Sequence, residues 1–338
     1  MNILYIVGNG LDIQYGLKTK YSDFYEYQLP IYKEKSITEN YYNIIYDNIL
    51  LDQSDNWENW SDLELALGEL TKNLEVNEEE FMSALDDLNE DLNAYLRIEQ
   101  DKFNLVNKTI NIQNYFDNFL EQIPEQHKAS IKKYFRDKTS STDILKILSF
   151  NYTNILDRLV KKINNKVFNS IRGNNVPCYI KDVEHAHGTL DFAQVLGLSD
   201  DSQLNKNYKL NNRKYLIKEL ILEQVRENRN KNNVDLLNWA DIIIIFGMSI
   251  GATDSYIWGR IAENSIKKNI PIILHSFVKN FENIKPHSRK LGILYESIES
   301  NFIEKTGIED DSKIKTLKNN IVSIISEKVF EISEEKIK

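Results

Sequence analysis

The sequence predicts an α/β fold with a parallel sheet covered on both faces. Three observations carry the prediction. Short apolar runs rich in β-branched residues recur along the chain, helical stretches separate them, and each run ends in a small or polar cluster. In open parallel sheets ligands bind just beyond the carboxyl ends of the strands, so those clusters are where a site belongs. At 338 residues the chain exceeds what one core needs, which calls for a main domain with a large insertion, or two domains.

The first run is Asn2–Val7 (NILYIV), which leads into Gly8-Asn9-Gly10. The next is 144–150 (ILKILSF), followed by Asn151-Tyr152-Thr153. A short run at 183–187 (VEHAH) precedes Gly188, 241–246 (DIIIIF) precedes Gly247-Met248-Ser249, and 270–276 (IPIILHS) follows one helix later. Between the first two runs lies far more chain than one crossover needs, and it reads as helical. Phe81, Leu85, Leu88, Leu92 and Tyr95 share one face of an amphipathic helix, and Glu78-Glu79-Glu80 suits its start. A second helical stretch is expected over 110–136, another at 215–228 within a segment rich in Lys, Arg and Asn, and a charged helical tail over 312–338. The sheet unit then takes 1–34 and 140–310, a helical insertion 35–139, and a C-terminal helix 311–338.

The net charge of −9 disfavours extended nucleic acid as the main partner. The single cysteine, Cys178, rules out an internal disulfide or a cysteine-based metal site and is expected to be a small buried side chain. No apolar run is long enough to span a bilayer, and Met1 leads directly into a strand without a basic leader, so a cytoplasmic protein without membrane association is expected.

Gly8 and Gly10 permit a tight turn and bring backbone N–H groups close to a ligand, or simply join strand to helix. Asp12 is suited either to the first turn of the next helix or to a ribose hydroxyl. Asn151 ends a strand, where a turn role competes with a binding one. His185 and His187 are not expected to form a metal pair, and His187 is the better proton-transfer candidate. Gly247-Met248-Ser249-Ile250-Gly251 satisfies the nucleophile-elbow pattern, but a serine hydrolase also needs an acid and a histidine downstream, and only His275 and His287 remain.

These pieces together resemble the AbiH-type abortive-infection family of bacterial phage-defence proteins. The stretches that carry the resemblance are Gly8-Asn9-Gly10-Leu11-Asp12 through Gly16-Leu17-Lys18-Thr19 to Tyr21-Ser22-Asp23-Phe24. They continue with Trp60-Ser61-Asp62-Leu63-Glu64, Phe150-Asn151-Tyr152-Thr153, His187-Gly188, and Gly247-Met248-Ser249-Ile250 with Asp254. More distantly, the layout is similar to the sirtuin-like fold, whose glycine turn has the spacing of Gly8, Gly10 and Gly16 and whose reactive pair matches Asn151 and His187. Asn9 and Asp12 depart from that turn.

The resemblance implies a Rossmann-like parallel sheet of the sirtuin-like type with a large helical insertion. It also implies NAD as ligand or substrate, no metal, and cleavage of the nicotinamide–ribose bond with Asn151 and His187 as catalytic pair. Gly8, Asn9, Gly10, Asp12, Gly16, Tyr152, Gly188, Gly247, Ser249 and Asp254 would bind the nucleotide. A phage-derived trigger and a homo-oligomer are the implied partners. The alternatives are a non-catalytic nucleotide-binding sensor, and a nuclease built on Asp12, Glu64, Asp157 and Asp254.

Overall fold

The structure is a computed structural model, which describes residues 1–73, 77–104, 108–163, 166–205, 210–225, 229–325 and 331–334. Its strands are β1 (Asn2–Val7), β2 (Lys108–Asn111), β3 (Asp143–Ser149), β4 (Val167–Ser170), β5 (Gly173–His185), β6 (Ile242–Phe246), β7 (Ile272–Ser276), β8 (Ile321–Ile325) and β9 (Glu331–Glu334). Seven of them form one sheet in the order β4-β5-β3-β1-β6-β7-β8; β2 and β9 pair separately. All neighbours in the large sheet run parallel except the β4–β5 hairpin.

Counted along the chain, the six parallel strands follow the order 3-2-1-4-5-6 of doubly wound sheets. The strand order reverses between β1 and β6, which opens a crevice at their carboxyl ends. The register aligns those ends: Val7 pairs with Ser149 and with Phe246, Ser149 with His185, and Phe246 with His275.

Period-two alternation in β1 shows why both faces are covered. Ile3, Tyr5 and Val7 enter one core with α6 (Ile112–Asp117), α7 (Phe119–Gln122), α8 (Glu125–Arg136) and α9 (Ile155–Ile163). Leu4 and Ile6 enter another with α12 (Arg229–Trp239), α13 (Ser255–Lys268), α15 (Ser288–Lys305) and α16 (Asp311–Asn320). A third core stands apart from the sheet. It joins α2 (Tyr21–Thr38), α3 (Ile44–Leu51), α4 (Leu63–Asn73) and α5 (Glu78–Lys102) to Leu190, Leu196, Leu198, Leu204, Leu216 and Ile217. Two short helices, α10 (Leu210–Arg213) and α11 (Lys218–Gln224), precede α12, and α1 (Gly10–Gln14) and α14 (Phe281–Ile284) complete the set. The apolar stripe Phe81 to Tyr95 is buried on α5, and Asn77 caps its start by accepting from the Glu79 amide at 3.1 Å.

Several expectations change. Within 35–139, α3, α4 and α5 pack with α2, and α6, α7 and α8 pack against the sheet. The stretch 110–136 begins as β2 before three short helices. The run 183–187 is the end of the longer β5, and His187 falls in the turn after it. The helix expected over 215–228 is shorter, Lys218–Gln224; its last three positions lie outside the described residues.

The tail is not one helix. Helix α16 stops at Asn320 and the Ile/Val-rich stretch becomes β8, the far edge of the sheet; 326–330 and 335–338 lie outside the described residues. A five-residue run with four apolar residues gains a full ladder beside β7, which outweighs continued helix. Cys178 is buried in β5. Among the described residues no helix is long and apolar enough to cross a membrane.

Candidate functional site

A cleft of about 1310 Å³ opens where the carboxyl ends of β1, β3 and β6 meet. Gly8, Asn9, Gly10, Asp12, Asn151, Tyr152, His187, Gly247, Ser249 and Asp254 line it; Gly16 and Gly188 do not. The register explains the convergence, since each residue follows the last paired position of its strand or lies close beyond it.

The glycines of the first turn serve another loop. The Gly8 amide donates to Phe246 O at 2.9 Å and the Gly10 amide to Gly247 O at 2.8 Å. A Cβ on Gly10 would stand 2.5 Å from Gly247 Cα, so the two strand-end turns pack backbone against backbone. Two N–H groups that a phosphate-binding turn would offer are thereby consumed. Asn9 clamps the loop ahead of α2: its Nδ2 donates to Thr19 O at 2.8 Å and its Oδ1 accepts from Thr19 Oγ1 at 2.5 Å. Gly16 is needed for its positive φ of 83°, with open space where a Cβ would be. Gly188 packs under Ala193 O, where a Cβ would sit at 1.9 Å.

Asp12 neither caps a helix nor stands exposed to a ligand alone. It is 1% exposed and accepts from Asn151 Nδ2 at 3.0 Å and Thr153 Oγ1 at 2.6 Å. Burial pushes its carboxyl up to about 6, against the pull of those two hydrogen bonds. The carboxylate accepts only, so it fixes which side of the Asn151 amide is nitrogen. Asn151 Oδ1 is then left buried without a hydrogen-bond partner among the described residues. The Asn151 main chain is held by His185, whose Nδ1 lies 2.8 Å from Asn151 O and whose Nε2 lies 3.0 Å from Asp157 Oδ2.

His187 is 4% exposed, and its ring lies against Phe150 with centroids 5.0 Å apart. Burial pushes its imidazole down to about 3, aided by the Lys218 ammonium and opposed by Asp254, so the ring is neutral at physiological pH. Asp254 Oδ1 lies 3.3 Å from Nε2 without hydrogen-bond alignment, and Nε2 has no hydrogen-bond partner among the described residues.

Behind the ring, Lys218 is 1% exposed and donates to Glu64 Oε2 and Asp254 Oδ1, each at 2.7 Å. Glu64 also accepts from the Gly197 amide at 3.1 Å, and its carboxyl is raised by burial and the Asp254 charge despite Lys218. Of the four carboxylates weighed for a nuclease, Glu64 and Asp254 meet on Lys218, Asp12 holds Asn151, and Asp157 holds His185.

Tyr152 donates from its hydroxyl to Val195 O at 2.7 Å. Ser249 is exposed at the cleft, and the strained backbone of its turn falls on Ile250 (φ 55°) rather than on the serine, unlike a nucleophile elbow. Residue-level reading of the sequence missed Lys218 and Thr153. The signal for Lys218 was a lone cation inside the apolar run Tyr215-Leu216-Ile217-Lys218-Glu219-Leu220-Ile221-Leu222. Thr153 stood in the quoted Asn-Tyr-Thr cluster with no role assigned.

The strand order and this polar cleft define a doubly wound α/β protein with a crevice at the switch point. A family model described as "Bacteriophage abortive infection AbiH" matches residues 4–276, which spans every cleft residue named above. No curated protein matches the chain. The chain belongs to the bacteriophage abortive infection AbiH family, and its role is in bacteriophage abortive infection.

Proposed function

We propose that this protein acts in abortive infection by binding NAD in the strand-end cleft and hydrolysing its nicotinamide–ribose bond, as sirtuin-like defence enzymes do. One observation carries the reading. Asn151 Oδ1 and His187 Nε2 are buried acceptor-capable groups without hydrogen-bond partners among the described residues, and both residues line one cleft at the switch point of the sheet. Native proteins rarely leave such groups unpaired unless a ligand or water completes them.

In the proposed reaction water attacks the ribose carbon and the C–N bond breaks, its electron pair leaving with neutral nicotinamide, while the proton lost by the water is released to solvent. Asn151 Oδ1 accepts from a ribose hydroxyl or from the attacking water and so fixes its position. His187 Nε2, neutral, accepts from the other. A neutral ring beside the carboxylate of Asp254 adds no positive charge near the oxocarbenium-like centre. The nuclease alternative is weakened because Lys218 engages both Glu64 and Asp254, each at 2.7 Å.

The test is nicotinamide release from NAD by purified protein, alone and with lysate of phage-infected cells. Asn151→Ala and His187→Ala should each abolish release with unchanged circular dichroism. Turnover that persists in both variants would overturn the assignment. Tight NAD binding without turnover under any condition would replace it with a sensor.

A further inference from the structure

A second cavity, of about 420 Å³, shares no lining residue with the strand-end cleft. Met82, Leu85 and Asn89 of α5 form one side, and Gln194, Val195 and Leu196 of the loop after His187 contribute another. Its volume is within the range of small-molecule sites.

Two of its lining residues carry a buried polar atom that is unpaired among the described residues: Asn89 Oδ1 and Gln194 Nε2. The orientation of the Gln194 amide follows from an unambiguous donor. Arg97 Nε donates to Asn93 Oδ1 at 2.8 Å, so Asn93 presents its nitrogen to Gln194 Oε1 at 2.6 Å and Leu190 O at 3.0 Å. Gln194 therefore turns its Nε2 donor away from Asn93. The rest of the wall is apolar (Met82, Leu85, Ile221) or aromatic (Tyr215) apart from Asn212, whose Nδ2 is engaged by Glu78 Oε2 at 2.9 Å, and Asp86 supplies the only charge among its described lining residues.

We infer that this cavity is a second small-molecule site, for a flat uncharged ring that presents an acceptor to Gln194 Nε2 and a donor to Asn89 Oδ1, and that its occupancy tunes the strand-end cleft. A nucleobase edge and an aromatic carboxamide both have this chemistry. Asp86 repels a phosphate, so nucleosides are preferred to nucleotides. The tuning follows from the loop that the ligand touches. Val195 N donates to His187 O at 2.8 Å, Val195 O accepts from Tyr152, and Gly197 N donates to Glu64. A ligand that shifts Gln194 moves the backbone that braces three cleft residues. This second half rests on the cleft being the functional site; the binding half does not.

The experiment is calorimetry and thermal shift with adenosine, guanosine, cytidine, uridine, their 5′-monophosphates, and nicotinamide. At least one nucleoside or nicotinamide should bind, and which of them does identifies the source. If a nucleoside binds, its monophosphate should bind at least tenfold more weakly. Gln194→Met and Asn89→Leu should each weaken binding at least tenfold while Asn151→Ala leaves it intact, all three folded by circular dichroism. Absence of binding at millimolar concentration, or binding lost in Asn151→Ala and kept in Gln194→Met, overturns the site. The His187 imidazole resonances should shift on binding; if they do not, the tuning is overturned while the site stands. Neither readout requires NAD turnover, so a failed nicotinamide assay leaves this inference testable.

Discussion

Asp12→Asn is the perturbation that best separates function from stability. The native carboxyl is displaced from 3.8 to about 6 by burial, a shift of about 2 units, or about 3 kcal/mol at 1.36 kcal/mol per unit. Because the folded value is the higher one, the native state binds more protons between those pH values, and stability falls as pH rises through that window. At pH 7.5 the full penalty is present; at pH 4 it is nearly absent.

Asparagine removes the charge but leaves one oxygen for the two donors Asn151 Nδ2 and Thr153 Oγ1. Losing one of those bonds costs about 1 kcal/mol. The net expectation is a gain of about 2 kcal/mol at pH 7.5, which for a chain of this size raises Tm by about 3 °C. At pH 4 the variant should gain nothing or lose slightly. The assay is urea denaturation at both pH values, alongside nicotinamide release, which should fall because the Asn151 amide is no longer held. An equal stability difference at both pH values would refute the reasoning.

Lys218→Met strands the buried Glu64 and the partly buried Asp254 without their cation and should cost about 3 kcal/mol. Adding Glu64→Gln should restore part of that in a denaturation cycle, and strict additivity would show that the three do not act as a unit. Gly10→Ala forces a Cβ to 2.5 Å from Gly247 Cα and should cost about 2 kcal/mol or more. Gly16→Ala meets open space and carries only positive-φ strain, about 1 kcal/mol; the reverse ranking would contradict the packing of the two turns. The His187 ring, held down at about 3, should show no imidazole titration by NMR between pH 5 and 8. Its folded value lies below the unfolded one, so its contribution to stability is full above about 6.5 and is lost as pH falls toward 3. A midpoint near 6.5 would refute its burial.

Much of the sheet was legible because buried parallel strands are locally apolar: Asn2–Val7 and the four-isoleucine run of β6 announce themselves. Local pattern failed where tertiary neighbours decided. The Ile/Val stripe at 321–325 fits a helix face as well as a strand, and only the open edge of β7 chose the strand. The glycine turn looked like a ligand turn because a tight loop contact and a phosphate contact both require the missing Cβ.

What the sequence by itself determined is the parallel sheet, the identity of the strand ends, and therefore the edge at which Gly8, Asn151, His187 and Gly247 collect. Hydrophobic periodicity and turn chemistry are local properties, so they are written in the order of residues. The protonation states and partners of that edge were decided only in three dimensions. Asp12 is held against Asn151 from a position 139 residues away, and Lys218 reaches Glu64 across 154. Desolvation depends on everything packed around a group, and no stretch of sequence near Asp12 or His187 records it.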